Sequence, residues 1–342
     1  MAKRTGKNTI ELENKPKILS SAAIVGKNEG EGPLGEEFDE IEQDALFGRE
    51  NWEQAESELQ SRTVRKALEK GKISEKDVDL LFAGDLLNQC IASSFGVKEF
   101  SIPFFGLYGA CSTIALSLAA AAVFVDSGAA EIAVAETSSH FCSAEKQFRF
   151  PLEYGSQRPP TAQRTATACG AFVLKKNCES PVYVKYVTLG KITDLGIKDA
   201  NNMGAAMAPA AADTIANFLR DTNTAPDDYN LILTGDLGEI GTKLLREIMQ
   251  KEYDIDLSRV HNDCGLMLFE REKQDVHAGG SGCGCCASVL GSHILGLMRK
   301  GELKKVLVAA TGALMSTISA NEGQSIPAVS HAVLLCREDE NG

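Results

Sequence analysis

Cys111 is the residue of this chain best placed to do chemistry. It follows Gly109-Ala110 and precedes Ile114 to Val125, a run of almost wholly small or apolar residues that reads as a helix buried on most sides. That places the thiol in a first helical turn, where unpaired backbone N–H groups and the helix dipole favour negative charge. Such a position lowers a thiol pKa and suits either a reactive thiolate or a bound carboxylate. Inert packing is the alternative, since cysteine is among the most buried residue types.

A nucleophile needs a base and donors for an oxyanion. His331, in Pro327-Ala328-Val329-Ser330-His331-Ala332, and His140, just beyond the predicted strand end at Thr137, are within reach of such a role, and each fits equally well as a satisfied core histidine. Gly84-Asp85 and Gly235-Asp236 close two predicted strands, where turn formation and helix capping are enough to explain a Gly-Asp pair. His261-x-x-Cys264 and Cys283-x-x-Cys286 approach zinc-ribbon spacing. The second pair, however, belongs to a helix-opening turn and the first precedes an apolar run, so no metal site is expected. Gly282-x-Gly284-x-x-Ala287 imitates a dinucleotide fingerprint but lacks a clear strand before it.

The elements that must position these residues repeat. Ile18 to Val25 reads as a strand, Gly26 to Gly35 as an exposed loop, Trp52 to Lys70 as an amphipathic helix closed by Gly71, and Val78 to Ala83 as a buried strand. At one fixed spacing Val64 meets Ile215, Leu68 meets Leu219, and Gly84-Asp85-Leu86 meets Gly235-Asp236-Leu237. At a second spacing the strand Glu131 to Thr137 meets Lys305 to Thr311, and Cys111 falls on Cys285 in the glycine-rich opening of another small-residue helix. One long unit therefore occurs twice, giving two similar α/β halves, 1–180 and 181–342, with mostly parallel sheets and ligands near strand ends. Phe141 to Thr165 is an excursion from the first half whose polar, proline-bearing core reads as a lid over a pocket.

Composition narrows the class. The chain has 342 residues and a formal net charge of −12, which argues against nucleic acid and against simple docking on anionic lipid. The acidic stretch from Glu29 to Glu42 reads as a solvated loop. The N-terminal residues carry charge with no apolar segment behind them, so no signal peptide is expected. Ile114 to Val125 falls short of the roughly 20 residues of a membrane span. Ten cysteines without a secretory signal read as reduced thiols in an intracellular protein.

The duplicated unit with a cysteine opening a buried helix resembles the thiolase-like superfamily, which includes the β-ketoacyl-acyl-carrier-protein synthases. Tyr108-Gly109-Ala110-Cys111-Ser112 is similar to their nucleophile turn, and Thr165-Ala166-Thr167-Ala168-Cys169-Gly170-Ala171 to the strand after their substrate loop. Within that superfamily the chain resembles the stage V sporulation protein AD family of spore-forming bacteria. Ala83-Gly84-Asp85-Leu86-Leu87-Asn88-Gln89, Glu153 to Gln163 and Leu233-Thr234-Gly235-Asp236-Leu237-Gly238 carry that likeness.

The resemblance implies a thiolase-like fold, two α/β halves layered α-β-α-β-α, and a homodimer. It implies binding of dipicolinic acid, free or as the calcium chelate, during uptake into the developing spore. It also implies work beside other stage V sporulation membrane proteins, peripheral at the spore inner membrane. Departures from the synthases argue against catalysis. Thr234-Gly235-Asp236 stands where they carry a histidine, and Cys283 stands at the position of their asparagine. An aspartate beside a thiol disfavours the thiolate and cannot donate to an oxyanion when ionised. The expected reading is a binding protein with no cofactor of its own. An acyl-transferring enzyme with Cys111 as nucleophile is the alternative. For a planar dianion, Arg158 and Arg164 supply guanidinium grips, and Asp85, Asp236 and Asn88 supply hard oxygens if calcium comes with it. Cys111, Thr137, Cys283 and His331 complete the expected pocket lining.

Overall fold

The computed structural model describes residues 2–148 and 158–338. Ten strands in chain order form its centre. They are β1 (Lys17–Gly26), β2 (Leu80–Gly84), β3 (Phe104–Gly106), β4 (Ile132–Ser139), β5 (Ala168–Lys175), β6 (Val182–Leu189), β7 (Leu231–Thr234), β8 (His261–Asp263), β9 (Lys305–Ala313) and β10 (Ala328–Arg337). The first five lie in the order β1-β5-β4-β2-β3, and the second five in the matching order β6-β10-β9-β7-β8. Pairing matches as well: antiparallel for β1–β5 and β5–β4, parallel for β4–β2 and β2–β3, with the same sequence in the second set. The two sets meet at β1 and β6 through the pair Lys17–Tyr183.

Five layers result. Helix α1 (Trp52–Gly71) covers the outer face of the first sheet, packing on β1, β5 and β4. Its buried stripe, Ala55, Leu59, Val64, Ala67 and Leu68, follows the helical period seen in the sequence, and Asn51 caps its start by accepting the Gln54 N–H. Helix α5 (Met203–Thr222) packs on β10 and β9 from the other side, with α6 (Gly238–Tyr253) against it. Between the sheets lie α3 (Thr113–Ser127) and α7 (Cys283–Val289), the latter continuing through a π turn, Leu290–Ile294, into Leu295–Lys300. The central helices reach across: α3 touches β9 and β10 of the second sheet, while α7 packs on β4, β5 and β1 of the first.

Small residues make this possible. A Cβ on Gly170 of β5 would meet the Ala287 carbonyl of α7 at 2.4 Å, so only glycine allows that approach. By length and hydropathy Ala110–Ser127 qualifies as a membrane span, contrary to the reading from sequence, yet 72% of it is buried inside the fold. It is the core helix between the sheets.

A further sequence expectation is corrected here. The stretch after β1 is not simply a solvated loop. Glu29 is 2% exposed and accepts the Thr167 N–H at 3.0 Å, and Asp39 accepts the Ala23 N–H at 2.9 Å. Backbone donors left over at a strand edge recruit these acids inward. The expected lid at 141–165 begins as a helix, α4 (Phe141–Phe148), and ends as a short strand, Arg164–Thr165, parallel to Gly280–Ser281. Its core at 149–157 lies outside the described residues.

Candidate functional site

Cys111 sits where the two halves meet. Helix α3 begins at Thr113, so the cysteine precedes the first turn rather than opening it. Ala110 before it holds φ at 49°, a left-handed conformation that costs a non-glycine residue about 1 kcal/mol. The turn is pressed against the end of β9, where a Cβ on Gly312 would stand 2.0 Å from the Gly109 carbonyl oxygen. Hydroxyls stiffen it further: Ser112 Oγ donates to the Gly109 carbonyl (2.6 Å) and Thr113 Oγ1 to the Ala110 carbonyl (2.6 Å).

Around the thiol stand Asp236 from the end of β7 and the Gly282-Cys283 opening of α7. Asp236 is fully buried. Its Oδ2 accepts the Gly282 N–H (2.9 Å) and Ser281 Oγ (3.1 Å), while Oδ1 is left with no donor beyond the neighbouring Cys111 thiol. Burial pushes the Asp236 carboxyl up to about 7. Burial, reinforced by the charges of Asp236 and Cys283, pushes the Cys111 thiol well above its ordinary value. This reverses the lowering expected from the helix start and agrees with the effect expected of an aspartate beside the thiol. A helix N-terminus lowers a thiol pKa only where the group is partly solvated and free of acidic neighbours.

Cys283 joins the same cluster. Its Sγ donates to the Ser138 carbonyl at 2.9 Å, and it lies beside Thr137, whose hydroxyl donates to the Gly84 carbonyl at 2.7 Å. Leu86, Ala110, Cys111, Ala144 of α4 and Cys283 form one small apolar cluster with Leu314 against it. The sequence echo pairs Cys111 with Cys285, but the neighbour in space is Cys283. Tyr108, read from sequence only as part of the nucleophile turn, is 46% exposed, yet burial of its hydroxyl, with the nearby Cys111, Cys283, Cys90 and Asp85, pushes that hydroxyl up to about 12.

The remaining candidates separate from this group. Asp85 accepts the Leu87 N–H (2.8 Å), the Ser93 N–H (2.8 Å) and Ser93 Oγ (2.5 Å), which is turn formation and capping of α2 (Ile91–Val97). In the second half that duty passes to Asp263, which accepts from Thr234 Oγ1, Leu237 N–H and Gly238 N–H, leaving Asp236 free to face Cys111. Asn88 faces solvent. His331 Nδ1 accepts the Gly190 N–H at 3.3 Å and burial lowers it to about 4. His140 bonds the Ala45 carbonyl through Nε2 at 2.7 Å and is also lowered by burial. Both are neutral, satisfied histidines at pH 7. Arg164 lies over the Phe141 ring in the short strand that runs parallel to Gly280–Ser281, and Arg158, held by Asp275, is near enough for the two charges to act on one another.

Sequence reasoning also passed over the network behind Cys283. Glu56 of α1 accepts Ser138 Oγ (2.8 Å) and Ser143 Oγ (2.6 Å), and Gln60, one turn on, donates to Ser138 Oγ (2.5 Å) and Ser93 Oγ (3.2 Å). Burial, with Asp85 nearby, pushes Glu56 up to about 8, and burial does the same to Glu136. The signal was there: polar residues at i and i+4 interrupting the apolar face of α1. Gln163 ties the lid's end to the site, donating to the Asp236 (2.6 Å) and Gly280 (2.7 Å) carbonyls. Among the described residues no three His, Cys, Asp or Glu side chains are arranged to hold a metal ion.

Residues 6–336 match the stage V sporulation protein AD family. The chain belongs to that family. It is 43% identical over 335 residues to stage V sporulation protein AD of Bacillus subtilis (strain 168), covering 98% of each chain. Among solved structures, 3-oxoacyl-[acyl-carrier-protein] synthase III from Aquifex aeolicus VF5 superposes with a TM-score of 0.55 at 13% identity, over 94% of this chain and 99% of that one. An OleA variant from Xanthomonas campestris gives 0.59 at 15%, over 94% and 98%. The fold is thiolase-like, and for this sporulation family those structures speak to the fold alone.

Proposed function

We propose that this sporulation protein binds dipicolinic acid, free or as its calcium chelate, and serves its uptake into the developing spore without acyl chemistry. The observation that carries the non-catalytic part is the pairing of Cys111 with Asp236. A base for this thiol would have to accept its proton in the pH range where Asp236 is itself half-protonated, and burial holds the thiol far above that range. A carboxyl titrating near 7 suits recognition instead: protonated it donates to a ligand carboxylate, ionised it completes the coordination of a calcium already held by dipicolinate. Cys111, Thr137, Asp236 and Cys283, with the Tyr108 hydroxyl near them, are the pocket of this reading. Asp85 shapes its wall, and Asn88 and His331 lie outside it. No cofactor is invoked.

The same reading has the protein act as a homodimer at the spore inner membrane, held there by the other stage V sporulation membrane proteins. Support for the dimer is local. β3 is an edge strand whose Phe104 and Phe105 are 39% and 41% exposed, whereas the corresponding edge β8 is largely covered. Unpaired strand edges with exposed aromatic residues are templates for pairing with another chain.

The test is calorimetric titration of the purified protein with dipicolinate, with and without calcium, against phthalate and picolinate. Saturable binding selective for dipicolinate is expected. An acetyl adduct on Cys111 after incubation with acetyl-coenzyme A, seen by intact mass, would replace this reading with the enzymatic one.

A further inference from the structure

Exposed apolar side chains gather on one face of the second half. Leu189, the last residue of β6, is exposed, and the loop after it holds Ile192 out at 64% exposure and Leu195 at 69%. Tyr253, which ends α6, is also exposed and lies within electrostatic reach of Lys191 and Arg220. The loop is pinned rather than slack. Thr193 exchanges both backbone hydrogen bonds with Ala328 (2.8 Å each), the Ile326 N–H donates to the Ile197 carbonyl (2.7 Å), and the Leu189 N–H donates to the Asn8 carbonyl (3.2 Å). A slack loop folds its isoleucine and leucine back onto the core. This backbone is committed, so both side chains stand in water, as they do at surfaces that meet another apolar phase.

The ion pairs beside this loop point one way. Lys191 holds Asp213 at 2.9 Å, its own side chain 67% exposed and the acid's 16%, and Arg220 stands 3.7 Å from Asp221 with 63% against 4%. The acids face the fold, where Asp213 accepts from Asn217 Nδ2 (3.0 Å) and Asp221 from the Asn8 N–H (2.8 Å), and the cations face outward. Exposed Arg4 and Lys7, on the hairpin that carries Asn8, and exposed Lys198, at the far end of the loop, extend the same rim. Of the exposed acids there, Asp194 turns back onto Ser325 Oγ (2.5 Å) and the Gly196 N–H (2.9 Å), and Asp199 onto the Asn201 N–H (2.9 Å), while Glu252 stands beside Tyr253. An apolar centre, a tyrosine and an outward layer of lysine and arginine match a bilayer interface with anionic headgroups. We propose that the loop from Leu189 to Leu195 seats this chain directly on an anionic lipid surface, Ile192 and Leu195 entering the acyl boundary and the cations lying on headgroup phosphates. The net charge of −12 repels such a surface from the rest of the molecule, so this face alone meets it. The inference goes beyond the proposed function, in which other proteins hold the chain at the membrane.

The experiment is flotation of the full chain with large vesicles of phosphatidylglycerol and phosphatidylcholine in equal parts, and with vesicles of phosphatidylcholine alone. Saturable binding to the first is expected, and binding about fivefold or more weaker to the second. Ile192→Ser combined with Leu195→Ser should weaken binding about tenfold or more, and Lys198→Gln about threefold. All three side chains are exposed, so circular dichroism should not change. Ile192→Trp reads depth: brominated lipid should quench the added tryptophan and spare Trp52, the chain's own, at the start of α1 in the other half. No vesicle binding, undiminished binding by the serine variant, or no quenching at position 192 overturns the proposal. So does self-association of the wild type that the serine variant loses while neither binds vesicles, since the face then joins two copies. Calorimetry with dipicolinate reads the proposed ligand separately, so failure of one reading is distinguishable from failure of the other.

Discussion

The thiol of Cys111 and the carboxylate of Asp236 face one another where the two halves join, with the Gly282 N–H directed at both. Cys111 belongs to the turn before the first central helix, Asp236 to the strand end of the other half. Their contact makes Cys111 a poor nucleophile, and alkylation should report it. At pH 8 iodoacetamide should modify Cys111 more slowly than a solvated thiol by about tenfold or more, one pKa unit being tenfold in thiolate. Asp236→Asn should accelerate the reaction at pH 8. Below the Asp236 pKa of about 7 the wild type and the variant should converge, because the carboxyl is then neutral. Peptide mass mapping across that range measures it.

The turn that carries Cys111 is locked against β9. In Gly312→Ala the new methyl would stand 2.0 Å from the Gly109 carbonyl and 3.0 Å from the Cys111 nitrogen. Backbone atoms cannot yield as a flexible side chain does, so a loss of about 2–3 kcal/mol is expected in chemical denaturation. Ala110→Gly should act in the opposite sense, gaining about 0.5–1 kcal/mol by relieving the left-handed alanine.

Stability should fall as pH rises from about 6.5 to 8. Glu56 and Glu136 bind protons more tightly folded, with pKa about 8 each, than unfolded near 4.5. Their contribution is therefore fully present below the unfolded pKa and is lost as pH climbs through the folded one. Buried His261, lowered to about 3, and His331, to about 4, work the other way, but only below about 6.5. Above that the acids act alone, each removing about 1–2 kcal/mol by pH 8. Glu136→Gln should flatten the slope in a series of denaturation curves, and an unchanged slope would show that the glutamate is not protonated in the folded chain.

Phe104→Lys places a charge on the exposed edge of β3. If the edge is the dimer contact, the variant should elute as a monomer in size-exclusion chromatography while keeping its circular dichroism, since Phe104 is 39% exposed and outside the main core.

Much of this architecture could be read before any coordinates. Val64, Leu68 and Gly84-Asp85 recur as Ile215, Leu219 and Gly235-Asp236 because each half must bury the same helix against the same strand. Periodicity is a local property, and local properties survive in sequence. The site was legible only in part. That Cys111, Thr137, Asp236 and Cys283 converge follows from their places at strand and helix ends. Their electrostatics do not, because they depend on what the other half brings. The left-handed Ala110 shifts the helix start to Thr113, so the lowering expected from a first helical turn does not arise, while the opposing effect of an aspartate beside the thiol was legible once Asp236 was set at the synthases' histidine position. Asp85 and Asp236 look alike in Gly-Asp-Leu, yet Asp263, invisible as their rival, takes over the turn-forming task in the second half. Arg158 and Arg164 were read as partners of one ligand. The structure brings the two together, but apart from the thiols.

The exchange of central helices has a consequence for synthesis. Residues 110–127 leave the ribosome with the length and apolarity of a membrane segment, and part of their packing surface, β9 and β10, is not made until residues 305–337. The amino-terminal half thus waits, with its most apolar helix unsheltered, while about 180 further residues are translated. A nascent chain halted after β5 is an open invitation to chaperones, to aggregation or to a passing bilayer, and the two halves expressed separately should recover solubility only when mixed.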